Sequence, residues 1–287
     1  MRDSIRAHHA SWGSSGVLTE ADFRSYVDAF NRGDFEAFGR FYAPEVEFFG
    51  RAARLTGRDA VIRFYREVKS RLRETLIVHG IVVGAQAIVA DVETELEALT
   101  DWPDFPTGPL RRGETRRSEN FIWYDVTDER FTRIRSAHHR RLQPDDVVQN
   151  MVAVPGAAMS EERFAEYIDA FNRADYAAFG SFYDDDVVLD IAGKRELRGR
   201  QAIFDFYRTV RSQTRRTIEI LNVLGAGNRL AVELQSEFLA LEDLPDFTAG
   251  PMNKGGRIFI NTVVLFELRD GRFVRIRSAE LRKIPRA

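Results

Sequence analysis

The 287-residue chain contains no cysteine, which excludes a disulfide framework, a thiol nucleophile and thiolate metal ligation. It also lacks any apolar run approaching the roughly 20 residues of a membrane-spanning helix. Its start, Met1-Arg2-Asp3-Ser4-Ile5-Arg6, has no apolar core of a signal peptide, so the expected location is the cytoplasm. A net charge of -2 gives no field of one sign, and neither nucleic acid nor a membrane surface is an expected partner. No glycine-rich phosphate cradle is present, because Gly225-Ala226-Gly227 reads as a hairpin turn. No histidine or carboxylate cluster has metal-ligand spacing, and no nucleophilic serine motif is visible. Neither a metal nor a cofactor is therefore expected. With 44% apolar and 30% charged residues, the remainder is an ordinary globular composition.

What the chain does have is a repeat. Asp28-Ala29-Phe30-Asn31-Arg32 returns as Asp169-Ala170-Phe171-Asn172-Arg173, and Arg133-Ile134-Arg135-Ser136-Ala137 returns as Arg275-Ile276-Arg277-Ser278-Ala279. The offset stays at 141 or 142 residues, and each copy is long enough for its own core, so this is a duplicated domain. The reading divides the chain into a poorly ordered arm at 1–17 containing His8 and His9, a domain at 18–142, a linker at 143–159 and a domain at 160–284.

In each copy, helices precede strands. A helix opens at Thr19, with Phe23, Tyr26, Val27 and Phe30 at helical spacing. A second helix is expected to carry Phe35, Phe38, Phe41 and Tyr42, and a third to carry Val61, Phe64, Tyr65 and Val68. A short strand at 46–49 lies between them, and long strands are expected at 75–83, 88–99, 118–126 and 131–139. The layout is α+β, with a sheet free to curl around the helices. Alternation puts Asp91, Glu93 and Glu95, with Glu233 and Glu237, on one strand face, and Arg133, Arg135, Arg275 and Arg277 on that same face. This pattern suits paired acids for catalysis or ion pairs on the outer faces of two packed sheets; the apolar residues opposite favour the second.

Tyr26-x-x-x-Phe30-x-x-Gly33-Asp34 followed by Phe41-Tyr42-x-x-x-Val46 resembles the NTF2-like superfamily and its SnoaL-like branch, in both copies. The resemblance implies two tandem cones, each with three helices against a strongly curved antiparallel sheet enclosing one apolar pocket. The two would pair as an intramolecular pseudo-dimer, with further homo-oligomerisation left open. Tyr26, Tyr42 and Tyr65, repeated as Tyr167, Tyr183 and Tyr207, look like the pocket tyrosines of ketosteroid isomerase, where phenol donors stabilise an enolate oxygen; equally, aromatics at helical spacing are core. That enzyme's proton-shuttling aspartate falls on Gly50 and Ile191, which move no proton. The limonene epoxide hydrolase set falls on Phe48/Leu189, Gly50/Ile191 and Ser136/Ser278 and is likewise absent.

Inward parity on the last strand offers His138 and its counterpart Glu280 as replacement acid–base groups, unless the strand end frays into solvent. Asn120, aligned with Thr262, is expected to position substrate or to satisfy a neighbouring backbone group. Phe48, Ile122, Ile134 and Ser136 are expected to line the first pocket, His79 is a weaker candidate, and Trp102 and Phe105 form a loop read as a lid or a docking surface. The expected function is a cofactor-independent lyase, isomerase, dehydratase or cyclase acting on an apolar aromatic or cyclic small molecule. A non-catalytic binding or scaffolding protein is the rival reading, and an epoxide hydrolase or cyclase the third.

Overall fold

The computed structural model describes residues 17–152, 154 and 158–286. Apart from Val17, the arm with His8 and His9 lies outside the described residues. The first copy runs α1 (Glu20–Arg32), α2 (Phe35–Gly39), β1 (Tyr42–Phe49), β2 (Arg54–Thr56), α3 (Arg58–Arg71), β3 (Leu72–Val83), β4 (Ala87–Ala98), β5 (Thr115–Thr127) and β6 (Arg130–Leu142). The second repeats it as α4 (Glu161–Asn172), α5 (Tyr176–Gly180), β7 (Tyr183–Ile191), β8 (Arg195–Arg198), α6 (Arg200–Gln213), β9 (Thr214–Ala226), β10 (Arg229–Ala240), β11 (Arg257–Arg269) and β12 (Arg272–Arg286). The fold is two tandem α+β domains.

Local chemistry explains the element ends. Thr19 and Asp22 form a reciprocal capping box on α1, and Ser160 caps α4. Gly33 ends α1 in the left-handed region at φ 70°, where the second copy places Ala174 at φ 58°. A side chain with a Cβ is strained in that conformation. Ala174→Gly is therefore expected to raise stability by roughly 0.5–1 kcal/mol, and Gly33→Ala to lower it similarly, in denaturant-midpoint measurements. The last hairpin turns left-handed at Asp128-Glu129 and Asp270-Gly271, as a two-residue turn between twisted strands requires.

Several boundaries differ from the sequence reading. The second helix stops at Gly39, so Phe41 and Tyr42 are not helical; Tyr42 opens β1. Residues 54–56 form a short strand hairpinned on β1 instead of a loop. The first long strand, β3, starts at Leu72, directly after α3, which brings Glu74 into the sheet.

The long strands follow the order β3-β4-β5-β6-β12-β11-β10-β9, with antiparallel neighbours. β1 pairs parallel with β6, and β7 parallel with β12. One residue pair, His138 with Glu280, joins the two halves of the sheet. Each half wraps its own aromatic core, one centred on Phe23, Phe30 and Phe131, the other on Phe164, Phe171 and Phe273. The repeated asparagine of Asp-Ala-Phe-Asn-Arg fixes helix to sheet in both copies. Asn31 accepts from Leu76 N at 2.8 Å and donates to Leu76 O at 2.9 Å, and Asn172 makes the same pair of bonds to Ile218, at 2.9 Å each.

A third core lies between the copies, built from the outer faces of both half-sheets. Phe121, Trp123, Val89 and Ala137 meet Val263, Leu265, Ala231 and Ala279 there. Met151, from the segment after β6, packs into it over Gly80, where a Cβ would lie 2.7 Å from the methionine side chain. The acidic and arginine rows close this core by ion pairing. Arg277 reaches from the second copy to Asp91 at 2.6 Å and Glu119 at 2.5 Å, all three fully buried. Its counterpart Arg135 reaches back to Glu233 at 3.1 Å while holding its own Asp125 at 2.8 Å. His139 is also buried here, stacked on Phe121 and bonded to Ser278 O at 2.8 Å and Asp190 at 3.2 Å. The strand end therefore does not fray; pairing continues to Leu142.

Candidate functional site

The interior of the first cone holds a cavity of about 140 Å³. Tyr26 on α1, Tyr65 on α3 and Tyr124 on β5 reach it, together with Glu74 on β3 and Asn120 on β5. Asn31 fixes Leu76, two residues along the strand from Glu74, so the helix that carries Tyr26 also sets the carboxyl's register. Tyr26 and Tyr42 share a hydroxyl–hydroxyl hydrogen bond of 3.0 Å. Tyr42 stands behind Tyr26 as its partner and does not line the cavity.

Burial pushes Tyr26, Tyr42, Tyr65 and Tyr124 well above the ordinary phenol value, and the negative charge of Glu74 adds to the shift in all four. They are fixed as neutral donors. Burial likewise lifts the Glu74 carboxyl to about 7, with the Lys69 ammonium pulling the other way. Lys69 Nζ itself donates to the backbone oxygen of Glu74 at 3.0 Å. Among the described residues the Glu74 carboxylate makes no hydrogen bond or ion pair; the residue is half-buried and lines both this cavity and a surface groove beside Lys69 and Arg73. A carboxyl that titrates near neutrality beside phenol donors is equipped to take and return a proton.

Asn120 donates to Thr94 Oγ1 at 3.1 Å and Ser118 Oγ at 3.0 Å, which orients its carbonyl toward His138 Nδ1, 3.2 Å away. His138 stands at the rim, in a cleft of about 560 Å³ between the copies, and does not line the first cavity. Arg51 Nη1 lies 3.2 Å from the same ring nitrogen. Burial first, then Arg51, His139 and Lys194, lower the His138 imidazole to about 4, so it is neutral at pH 7. Glu280, its strand partner, is exposed and lies where this cleft meets the second cavity.

Phe48, Phe105, Ile122, Ile134 and Ser136 line the first cavity. Trp102 does not: it bridges to Leu110 and packs at a tilt against Phe105, with the Arg71 guanidinium 4.7 Å from its ring centre. His79 turns outward to Glu93 at 3.1 Å and Asn150 at 2.9 Å. The acid rows of β4 and β10 face the other copy, away from both cavities.

The second cone holds a larger cavity, about 350 Å³, reached by Tyr167 and Tyr207 but not Tyr183, which bonds Tyr167 at 2.9 Å. Ile260, Thr262 and Phe266 stand where the first copy has Ser118, Asn120 and Tyr124. Arg216 stands where the first has Glu74. Sequence reasoning missed Glu74 and Tyr124. The signal was available: aligned inward positions carry opposite charges, Glu74 against Arg216, and lose a hydroxyl, Tyr124 against Phe266.

Among the described residues, no group of three His, Asp or Glu side chains could hold a metal ion, and no helix is long and apolar enough to cross a membrane. The model of the SnoaL-like domain matches residues 23–134 and again 164–276. The chain belongs to the SnoaL-like family. Each SnoaL-like match falls within one structural copy, covering the helices and most of the sheet. No curated protein matches the chain. Similar solved structures include a polyketide cyclase candidate from Xanthomonas campestris pv. campestris, 23% identical over 40% of this chain and 84% of that one, with a TM-score of 0.36. An LEH-like epoxide hydrolase from M. tuberculosis is 16% identical over 41% and 78%, with a TM-score of 0.34. A protein with a ketosteroid isomerase-like fold from Catenulispora acidiphila, in complex with trimethylamine, is 13% identical over 42% and 85%, at 0.35. The chemistry of this SnoaL-like pair is read from its own residues.

Proposed function

We propose that the first cavity is a cofactor-independent acid–base site that shifts a proton on a small cyclic ketone or related ring compound. The observation that carries this reading is Glu74, a half-buried carboxyl in the cavity lining, free of any ion pair among the described residues and poised at about 7 beside phenol donors. The ionised carboxylate takes a proton from the carbon next to a carbonyl. The C–H electrons move to the carbonyl oxygen, which accepts hydrogen bonds from tyrosine hydroxyls already aimed into the dry site. Glu74 then returns its proton to carbon, at the same or a conjugated position. Tyr26, Tyr65 and Tyr124 supply the donors, and Asn120 orients the ring. Tyr42 supports Tyr26 from behind, and neutral His138 guards the rim.

A cavity of about 140 Å³ is well below the ~300 Å³ at which pockets enclose drug-sized ligands, so about one ring is the expected substrate body. Glu74 is the one carboxylate in the lining among the described residues. This disfavours an epoxide-opening reaction that needs an acid pair. The second copy, with an arginine in Glu74's place, is not proposed to move protons by this route.

The test is solvent-proton exchange at the α-carbons of cyclohexenones and cyclic 1,3-diketones in D2O, followed by NMR. Wild type should accelerate exchange, with a rate rising as pH passes upward through about 7, because the base is the ionised form. Glu74→Gln should lose about 10²–10⁴-fold, while Arg216→Met stays close to wild type. Exchange insensitive to Glu74→Gln would remove this mechanism and leave a binding protein.

A further inference from the structure

We infer that the second cavity is a binding site for an organic anion, a carboxylate on an apolar body of one or two rings, with Arg216 as the partner of the carboxylate. This site is chemically separate from the acid–base reading of the first cavity and does not depend on it.

The argument starts from a charge reversal at aligned positions. In the first copy the neighbouring pair is Lys69 and Glu74, one cation and one acid; in the second it is Arg211 and Arg216, two cations. Burial opposes the charge of both Lys69 and Arg211; Glu74 works against that effect at Lys69, whereas at Arg211 the Tyr176 and Tyr207 phenols work against it and Arg216 adds to it. Arg211 donates to the backbone oxygen of Phe171. Arg216 Nη2 donates to Ser236 Oγ at 3.2 Å, and its buried Nε has no acceptor. Among the described residues neither arginine has a carboxylate within ion-pair distance, although most arginines elsewhere in the interior do.

What surrounds Arg216 is aromatic. Its guanidinium carbon lies 5.0 Å from the Phe238 ring centre, 5.2 Å from Phe171 and 5.6 Å from Tyr207. Ring faces hold a cation in place but leave its in-plane N–H groups unsatisfied. A carboxylate accepts from such a fork in the plane, and in a low-dielectric pocket that pairing is far stronger than in water. The rest of the cavity wall supplies the apolar contact: Ile218, Leu234 and Val264 line it, and Ile260 and Phe266 stand where the first cavity has Ser118 and Tyr124. Its volume of about 350 Å³ falls at the small end of the ~300–1,000 Å³ range of ligand pockets. An uncompensated guanidinium in a greasy pocket selects an acid with a greasy tail, and discriminates against the same body carrying a neutral head.

Isothermal titration with 2-naphthoate and 2-naphthamide at neutral pH tests this, because the two differ in charge and hardly in shape. Wild type should bind the carboxylate at least about tenfold tighter than the amide. Arg216→Met should collapse that preference to near unity with amide binding retained, Arg216→Lys should keep part of it, and Glu74→Gln should leave it unchanged. Equal binding of the two probes by wild type overturns the inference without any variant, so misfolding of Arg216→Met cannot shield it. A preference that survives Arg216→Met overturns it as well, and would place the attraction on the exposed Lys194 and Arg195 at the mouth, where salt would abolish it.

Discussion

Glu74→Gln should make the protein more stable at pH 8 and change nothing at pH 4. Glu74 has a folded-state value of about 7 against an ordinary value of 4.5, because its surroundings disfavour the charged form. The folded state therefore holds a proton that the unfolded state releases. Stability falls as pH rises from about 4.5 through about 7, and then levels off. Glutamine mimics the protonated carboxyl and has no such slope. The difference between variant and wild type should grow across that window to no more than about 3 kcal/mol at pH 8, an upper bound because the carboxyl keeps some access to water. Denaturant melts at pH 4, 6 and 8 measure it directly. Parallel stability curves for the two proteins would show that Glu74 is not held near neutrality, and the proton-transfer reading would go with it. A simultaneous gain in stability and loss of exchange activity is the signature expected of a group kept for chemistry at the expense of the fold.

Arg277→Met should cost about 3–5 kcal/mol, because it leaves the buried Asp91 carboxylate without a cation and takes from Glu119 one of its two, Arg140 at 2.8 Å being the other. Burial alone would depress the Arg277 guanidinium, but Asp91 and Glu119 outweigh it and hold the group above its ordinary value. Asp91 is raised by burial even with Arg277 present, and Glu119 pushes it further. Removing the arginine takes away the main opposing influence. Asp91 would then be protonated more readily on folding, so the cost should be smaller at pH 5 than at pH 8. The pseudo-symmetric change Arg135→Met supplies the control. Arg135 keeps partial exposure, its Asp125 partner is more exposed still, and Asn261 stands where the first copy has Glu119. Both partners keep another group, Asp125 the Arg133 guanidinium at 3.9 Å and Glu233 the Asn222 amide at 2.8 Å, so a cost of about 1–2 kcal/mol is expected there. Equal costs at the two positions would contradict the buried-triad account.

Much of the fold is written in short-range pattern. Thr19 with Asp22, the helical spacing of Phe23, Tyr26 and Phe30, and the alternation along β4 and β10 are local, so helices, strands and the duplication are legible. Tyr42 was misplaced because Phe35, Phe38, Phe41 and Tyr42 have helical spacing, yet Phe41 leaves the helix to stack on Phe131 of β6, a long-range contact. The site was less legible. The tyrosines that line the cavity could be found by resemblance, but separating Tyr26 from its support Tyr42 needs the hydroxyl contact. Glu74 escaped because the strand was started at Thr75, one residue too late to include it, and charged residues flanking a helix end usually face solvent. His138 kept its inward parity but stands where the cone opens, and parity says which face a side chain takes, not how far along the cone it sits.

The chain that runs on from β6 to α4 makes the two cones one covalent object. In a pair assembled from identical subunits, every substitution is made twice, and a site that gains an acid gains it on both sides. Here position 74 carries glutamate while its counterpart 216 carries arginine, a combination no homodimer can encode. Joining the copies end to end thus gives each pocket its own inheritance: two different chambers in fixed one-to-one supply, with no assembly step that could pair like with like.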